Sequence, residues 1–271
     1  MIISNKCVFV GCSLTAGAGF KDLKSDSNLW CNILHRSQQE LASLSYVNAG
    51  KGGITNHEIF RNAVEMIVEH SPKYIFVQWT ELFRINIAPG IETHTTEQML
   101  VNGSTPASMY DIVLHDRTYS KKYIYKVKNR LSDLQNSHYL LLDVLRYCQV
   151  LSKLAEKTNS KIYFINGAIS FEFDKNYFIH NTNNDRTPDK LTKFTQKLLD
   201  VKTRDDEEIF KIYDKIHLEY KNTGGLKNWL NLDRSMVSDF RIDRGDDNLH
   251  PGPIGNQKFA EYLLEIYQAI A

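Results

Sequence analysis

Short apolar segments recur along the chain, and their length and β-branched content predict buried strands. Polar or glycine-containing residues bound each segment, which is typical of strands that end at a turn. The predicted strands cover residues 6–10, 45–48, 73–79 and 161–165.

Apolar residues at helical spacing precede the third and fourth of these segments and also end the sequence. Strands that alternate with helices predict a mostly parallel sheet with helices on both faces. The three apolar helix faces comprise Ile59, Ala63, Met66 and Ile67; Leu141, Val144, Leu145, Cys148, Leu151 and Leu154; and Phe259, Leu263, Ile266 and Ile270.

Two long stretches, residues 85–136 and 171–246, are polar and show no clean period. Long insertions in a compact domain are usually lids, binding loops or disordered segments. The sequence has no internal repeat and no linker that requires a second domain, so we expect one domain over residues 1–271.

Composition argues against nucleic-acid binding, a disulfide scaffold and a metal site. The 271 residues include 33 Lys+Arg and 32 Asp+Glu, a net charge of +1, which lacks the basic excess typical of nucleic-acid binding. The four cysteines form no CxxC pair and the nine histidines no HxH or HxxxH pair, so we expect reduced thiols and no metal site.

Targeting signals are also missing from the sequence. Residues 1–6 have no signal-peptide pattern, and no apolar run approaches the ~18 residues of a membrane span. We therefore expect a soluble cytoplasmic protein without a membrane span; association with a phage or another particle would leave no such signal.

The first candidate for chemistry is the segment GCSLT, residues 11–15, directly after the first strand. Ligands of open parallel sheets bind at the carboxyl ends of the strands. A hydroxyl at Ser13 could attack a carbonyl while its own N–H helps to hold the oxyanion. A helix N-cap is the simpler interpretation of this serine, and core packing the better one of Cys12.

The second candidate is NAGKGG, residues 48–53, which follows the second strand. Its three glycines let the backbone approach a ligand closely, although a flexible turn before a helix capped by Thr55 or Asn56 is equally compatible. Neither GxxxxGK[ST] nor a complete GxGxxG occurs, so the pattern does not favour nucleotide binding.

The third candidate is DNLHP, residues 247–251. An aspartate three residues before a histidine can accept the Nδ1–H bond, which leaves Nε2 free as a base. The alternative is a solvated acidic loop, because Asp243 and Asp246 lie close by.

In this order along the chain, the three segments resemble the blocks of the SGNH (GDSL-type) hydrolases, in a GCS-type variant. The resemblance implies a flavodoxin-like three-layer α/β sandwich with a mostly parallel five-stranded sheet and long polar insertions. It also implies a nucleophile at Ser13, a base at His250 oriented by Asp247, and oxyanion-hole N–H groups at Ser13 and Gly53.

One block departs from the family pattern. The family's third block normally supplies an asparagine as a further oxyanion donor, whereas residues 77–84 here read VQWTELFR. Thr80 or Gln78 could donate instead, or Arg84 could reach the site. Loss of one such donor typically costs ~10²–10³ in rate.

The resemblance thus implies a serine esterase without a cofactor. Its expected partner is a small-molecule or glycan ester, with a short acyl group such as O-acetyl on a carbohydrate. Two alternatives stay open: a catalytically weak or silent module that binds a glycan or belongs to a larger assembly, and acyl transfer to an alcohol other than water. The sequence does not indicate an oligomeric state.

Overall fold

The computed structural model describes residues 4–80, 85–87, 105–107, 137–167, 228–231, 234–248 and 250–270. The strands are β1 Ser4–Val10, β2 Ser45–Asn48, β3 Pro72–Trp79, β4 Ile85–Ile87, β5 Thr105–Ala107 and β6 Lys161–Asn166. The α-helices are α1 Ser13–Ala16, α2 Trp30–Ser37, α3 Gln39–Ala42, α4 Asn56–His70, α5 Ser137–Lys157, α6 Met236–Asp239 and α7 Pro253–Ile270.

The main sheet is parallel throughout, in the order β2-β1-β3-β6, with Val8 of β1 opposite both Val47 and Ile75. The described sheet has four strands instead of the predicted five. Beside β6, Phe164 forms a single parallel bridge with Trp229, which occupies the place of the next strand. This order is that of flavodoxin-like sheets, so the predicted mostly parallel α/β fold is confirmed.

Helices cover both faces of the sheet, which makes three layers. Helices α4 and α5 pack together on one face, and α2 and α7 pack together on the other. On the second face the rings of Phe9 and Phe76 stack at 4.8 Å, and Phe9 meets Trp30 edge-on at 5.7 Å. This aromatic layer fixes the carboxyl ends of β1 and β3 beside each other.

Local sequence determines where helix α4 begins and ends. The Thr55 side chain accepts from the Glu58 N–H and Glu58 accepts from the Thr55 N–H, which is a capping box. The helix ends at Ser71 in the left-handed region, and Pro72 then begins β3 because it cannot continue a helix.

The predicted helix faces agree with the described burial at most positions. Met66, Leu154 and Ile266 are half-buried, and the side chain of Leu141 lies outside the described set. Ile270 is the exception, with 44% of its surface exposed, because α7 ends there and Tyr267 makes the last buried contact. The fully buried members of the faces are Ile59, Ala63, Ile67, Cys148, Leu151, Phe259 and Leu263.

Most of the two predicted insertions, 85–136 and 171–246, falls outside the described residues. The expectation of a single domain over residues 1–271 therefore stays a prediction. Within them the structure describes the antiparallel pair β4–β5, the bridge at Trp229 and helix α6. In the described part of the chain, no helix combines the length and apolar character needed to cross a membrane.

Candidate active site

Three side chains from opposite ends of the sequence meet beyond the carboxyl end of β1. Ser13 Oγ lies 2.9 Å from His250 Nε2, and His250 Nδ1 lies 2.5 Å from Asp247 Oδ2. A carboxylate accepts hydrogen bonds, so this contact favours the tautomer with its proton on Nδ1, in which Nε2 can accept from the Ser13 hydroxyl. His250 and Asp247 keep 24% and 34% of their side-chain surface exposed, so the group is open to a ligand.

The turn after β1 places Ser13 at the first position of α1. Gly11 is required there, because a Cβ atom on it would lie 2.1 Å from Thr15 Oγ1. Cys12 is 1% exposed and packs in the core, as expected for a structural residue. Helix α1 ends after one turn at Gly17, whose φ of 82° favours glycine.

A buried polar contact ties this short helix to β3. The Thr15 hydroxyl donates to Gln78 Oε1 at 2.6 Å, and Gln78 Nε2 contacts Met236 Sδ at 3.8 Å. Thr15 and Gln78 are both fully buried. Both ends of the Gln78 amide are therefore engaged in the core beneath Ser13.

The glycine-containing loop after β2 rests on α1. Asn48 Nδ2 donates to the Thr15 carbonyl at 2.7 Å, and Asn48 Oδ1 accepts from the Gly50 N–H at 2.9 Å. A Cβ atom on Gly50 would lie 2.6 Å from the Ala16 nitrogen, so only glycine permits this approach.

Gly53 ends the loop in the left-handed region, with φ 74° and no atom within 4 Å of where a Cβ would stand. Among the described residues, neither the Ser13 N–H nor the Gly53 N–H has a hydrogen-bond partner. These two donors are therefore available to a ligand oxygen.

Thr80 follows β3 and is held by Asn56, the first residue of α4. The Thr80 N–H donates to Asn56 Oδ1 at 2.8 Å, and Asn56 Nδ2 donates to the Thr80 carbonyl at 3.2 Å. Asn56 lies three residues after Gly53, so this pair joins the end of β3 to the helix that follows the glycine loop. Arg84, the other candidate donor, lies outside the described residues.

The loop that carries Asp247 and His250 is locked against the turn after α1. The Asp246 N–H donates to the Gly19 carbonyl at 2.8 Å, and a Cβ on Gly245 would lie 2.4 Å from that same oxygen. Two glycine backbones in contact thus set the separation between the serine turn and the histidine loop.

Asp243 belongs to the segment that the sequence also allowed to be a solvated acidic loop, and in the structure its side chain has a structural role. Its carboxylate accepts from the N–H groups of Ile254 at 2.9 Å and Gly255 at 2.7 Å, at the start of α7. An acidic group at a helix N-terminus satisfies unpaired donors and the helix dipole. Sequence reasoning missed this role, and also the pairing of Asn56 with Thr80.

Two thiols of the core, Cys7 and Cys31, are fully buried. Burial raises the pKa of Cys31 to about 12 and raises that of Cys7 as well. None of the four cysteines, all in the described residues, forms a disulfide. The described ranges also contain no group of three or more His, Cys, Asp or Glu side chains arranged to hold a metal.

No family model and no curated protein matches this chain. Solved structures similar to it include TesA, at 11% identity and a TM-score of 0.47 over 98% of this chain and 99% of that one. A catalytic mutant of Axe2, an acetylxylan esterase from Geobacillus stearothermophilus, is 12% identical with a TM-score of 0.47 over 98% and 95%. A GDSL-like lipase from Bacteroides thetaiotaomicron is 12% identical with a TM-score of 0.41 over 98% and 89%.

Proposed function

We propose that this chain is a serine ester hydrolase of the SGNH type. The observation that carries the proposal is the continuous hydrogen-bonded series from Ser13 Oγ through the His250 ring to Asp247 Oδ2. Nucleophile and base within hydrogen-bond reach, with the base oriented by a third group, is the arrangement that activates a hydroxyl.

In the proposed reaction, Ser13 Oγ attacks the ester carbonyl carbon while His250 Nε2 takes the hydroxyl proton. The carbonyl oxygen becomes an oxyanion, which the N–H groups of Ser13 and Gly53 stabilise. The intermediate collapses, the bond to the alcohol breaks, and His250 returns the proton to the leaving oxygen. Water, deprotonated by His250, then releases the acid from the acyl-enzyme and restores the Ser13 hydroxyl.

The third-block asparagine of the family is replaced here, and its substitute remains part of the proposal. Gln78 is the weaker candidate because its amide bonds to Thr15 and contacts Met236 in the core. Thr80 is the stronger one because it stands at the end of β3, beside the start of α4 that follows Gly53.

For the substrate we propose a short acyl ester, such as O-acetyl, on a carbohydrate. Support comes from the polar composition of residues 85–136 and 171–246, because a site for a long acyl chain favours apolar insertions. The second candidate function, a silent glycan-binding or assembly module, is favoured only by the missing asparagine.

The first test is intact-mass labelling with a fluorophosphonate, which reacts with activated serines. Because Nε2 of His250 accepts the Ser13 proton, we expect one adduct per chain in the wild type and none in Ser13→Ala. The control is Ser43→Ala, which removes an exposed serine whose hydroxyl bonds only to the Glu40 carbonyl in the described structure; this variant should label fully.

The outcomes separate the two candidate functions. An adduct that disappears only in Ser13→Ala supports the hydrolase, and release of acetate from acetylated saccharides would then distinguish hydrolysis from acyl transfer. A folded wild-type protein that takes up no label contradicts the hydrolase and favours the silent module.

A further inference from the structure

A cavity of about 490 Å³ lies beside the edge strand β2, apart from the Ser13–His250–Asp247 group. Three parts of the chain line this open cavity: the 3₁₀ turn Leu23–Ser25 with the residues after it, one face of α2, and two side chains of β2. The side chains used in the argument are Lys24, Asn32, His35, Arg36, Tyr46 and Asn48.

The charge in this cavity is one-sided. Lys24 and Arg36 are cationic, and the described residues that line the cavity include no aspartate or glutamate. Arg36 donates through Nε to the Asn32 carbonyl at 3.1 Å and through a terminal nitrogen to the Ser27 carbonyl. In the described part of the chain neither cation forms an ion pair, so no carboxylate contacts either positive charge directly.

A third cation, Lys51, lies near Lys24 without lining the cavity. The pKa of Lys24 is lowered, first by its partial desolvation and second by the nearby positive charge of Lys51. The Lys51 ammonium itself bonds to a neutral partner, Asn62 Oδ1, at 3.1 Å. Because like charges close together repel, an anion bound beside Lys24 would relieve this repulsion.

The remaining lining groups are neutral and fixed in place. Burial lowers the pKa of His35, and its Nε2 lies 3.2 Å from the Leu44 carbonyl, so this ring is an uncharged wall. The Tyr46 hydroxyl lies 3.1 Å from Cys31 Sγ and receives the Asn48 amide at 3.2 Å. The cavity thus combines neutral, hydrogen-bonded side chains with the long cationic side chains of Lys24 and Arg36.

The cavity shares a residue with the proposed active site. Asn48 lines the cavity and also donates to the carbonyl of Thr15, two residues after Ser13. Asn48 also begins the loop that ends at Gly53, so the cavity and the proposed oxyanion loop meet at this residue.

We propose that this cavity is a subsite for an anionic group, a carboxylate or phosphate, carried on the saccharide part of the ester substrate. The inference rests on the proposed ester hydrolysis and deepens it: the substrate is an O-acylated acidic saccharide. Lys24 and Arg36 supply the charge, and Arg36 Nη1, which has no hydrogen-bond partner in the described structure, is left to donate to an oxygen of the carboxylate or phosphate.

The test compares kcat/KM for three acetyl esters: acetylated galacturonate oligomers, acetylated glucose 6-phosphate and neutral acetylated xylo-oligosaccharides. We expect the wild type to prefer one or both acidic substrates, and the double variant Lys24→Gln/Arg36→Gln to lower that preference ratio about tenfold. The relative rates on the galacturonate and phosphate esters show which anion the subsite takes. Added salt should lower the wild-type ratio, because screening weakens exposed charge pairs.

Lys153→Gln is the matched control, since it removes an exposed cation from α5, on another part of the fold. Its preference ratio should equal that of the wild type. Replacing Arg36 removes its bonds to the backbone and could impair folding. The single variant Lys24→Gln keeps those bonds and tests the charge alone. An acidic-to-neutral ratio near one in the wild type, or an unchanged ratio in Lys24→Gln, overturns the subsite.

A binding measurement separates failure of the subsite from failure of the hydrolase. Calorimetry on Ser13→Ala should detect galacturonate oligomers or glucose 6-phosphate, with affinity about tenfold lower once Lys24→Gln is added. Anion binding without any ester turnover by the wild type would refute the hydrolase while leaving an anion site in the cavity. Ester turnover without a charge preference would support the hydrolase and refute the anionic subsite.

Discussion

At the scale of single residues, the position of Ser13 depends on one buried hydroxyl. Thr15 bonds to Gln78 inside the core, while its carbonyl receives the Asn48 amide. One residue thus connects the helix that carries the serine to both neighbouring strands.

Thr15→Val should destabilise the protein by about 1–3 kcal/mol, because it leaves Gln78 Oε1 buried without its donor. Valine has nearly the shape of threonine, so the change removes the hydrogen bond without opening a large cavity. Urea denaturation measures the effect, and Thr15→Ser, which keeps a hydroxyl, should retain more of the stability. Equal stability of the valine variant and the wild type would mean that this contact contributes nothing.

The site itself shows what could be predicted residue by residue. The sequence predicts a group of Ser13, Asp247 and His250 because short motifs and their order carry the family resemblance, and the structure brings these side chains within hydrogen-bond distance. The roles of Gln78 and Asn56 were not identified, because each pairs with a residue distant in sequence, Thr15 or Thr80, and no local pattern encodes such a pairing.

At the scale of elements, the end of β3 is joined to the start of α4 by a reciprocal amide pair. Asn56 is 6% exposed and satisfies both the N–H and the carbonyl of Thr80. A strand end without this partner would leave two buried backbone groups unpaired.

Asn56→Ala should therefore lower the free energy of unfolding by about 2–3 kcal/mol. Asn62→Ala is the matched control on the same helix: its amide oxygen accepts only from the exposed Lys51 in the described structure, and the expected change is within about 0.5 kcal/mol. Thermal or urea unfolding of both variants checks this. If the two alanine variants unfold alike, the Asn56–Thr80 pair does not stabilise the fold.

Strand positions were predictable from sequence to within a residue or two because buried parallel strands are short apolar runs. The second strand, Ser45–Asn48, agrees at both ends. The first begins earlier than predicted, at Ser4, because the Ser4 N–H bonds to the Ser71 carbonyl, and a backbone contact leaves no side-chain signal. The bridge at Trp229 was not predictable for the same reason.

At the scale of the whole molecule, stability should depend on pH through a buried histidine. Desolvation lowers the pKa of His35 below its ordinary value of 6.5. Between that lowered pKa and 6.5 the unfolded chain binds a proton that the folded chain does not, so the free energy of unfolding rises with pH. The stabilisation is complete above about 6.5 and is lost as the pH falls through the folded pKa.

Urea denaturation at pH 7.5 and 5.5 measures this effect in the wild type and in His35→Gln. Glutamine keeps a donor for the Leu44 carbonyl but does not titrate, so the variant should lose less stability than the wild type between the two pH values. Identical losses would show that other groups account for the acid sensitivity.

Ser13 and His250 stand 237 positions apart, and this separation has a consequence while the protein is being made. The last strand of the described sheet ends at Asn166, so every strand of that sheet leaves the ribosome well before His250 does. Until then the Ser13 hydroxyl lacks its proposed base. The nascent chain can therefore assemble its sheet in the presence of cellular esters without reacting with them, and the proposed chemistry begins only when translation has passed residue 250.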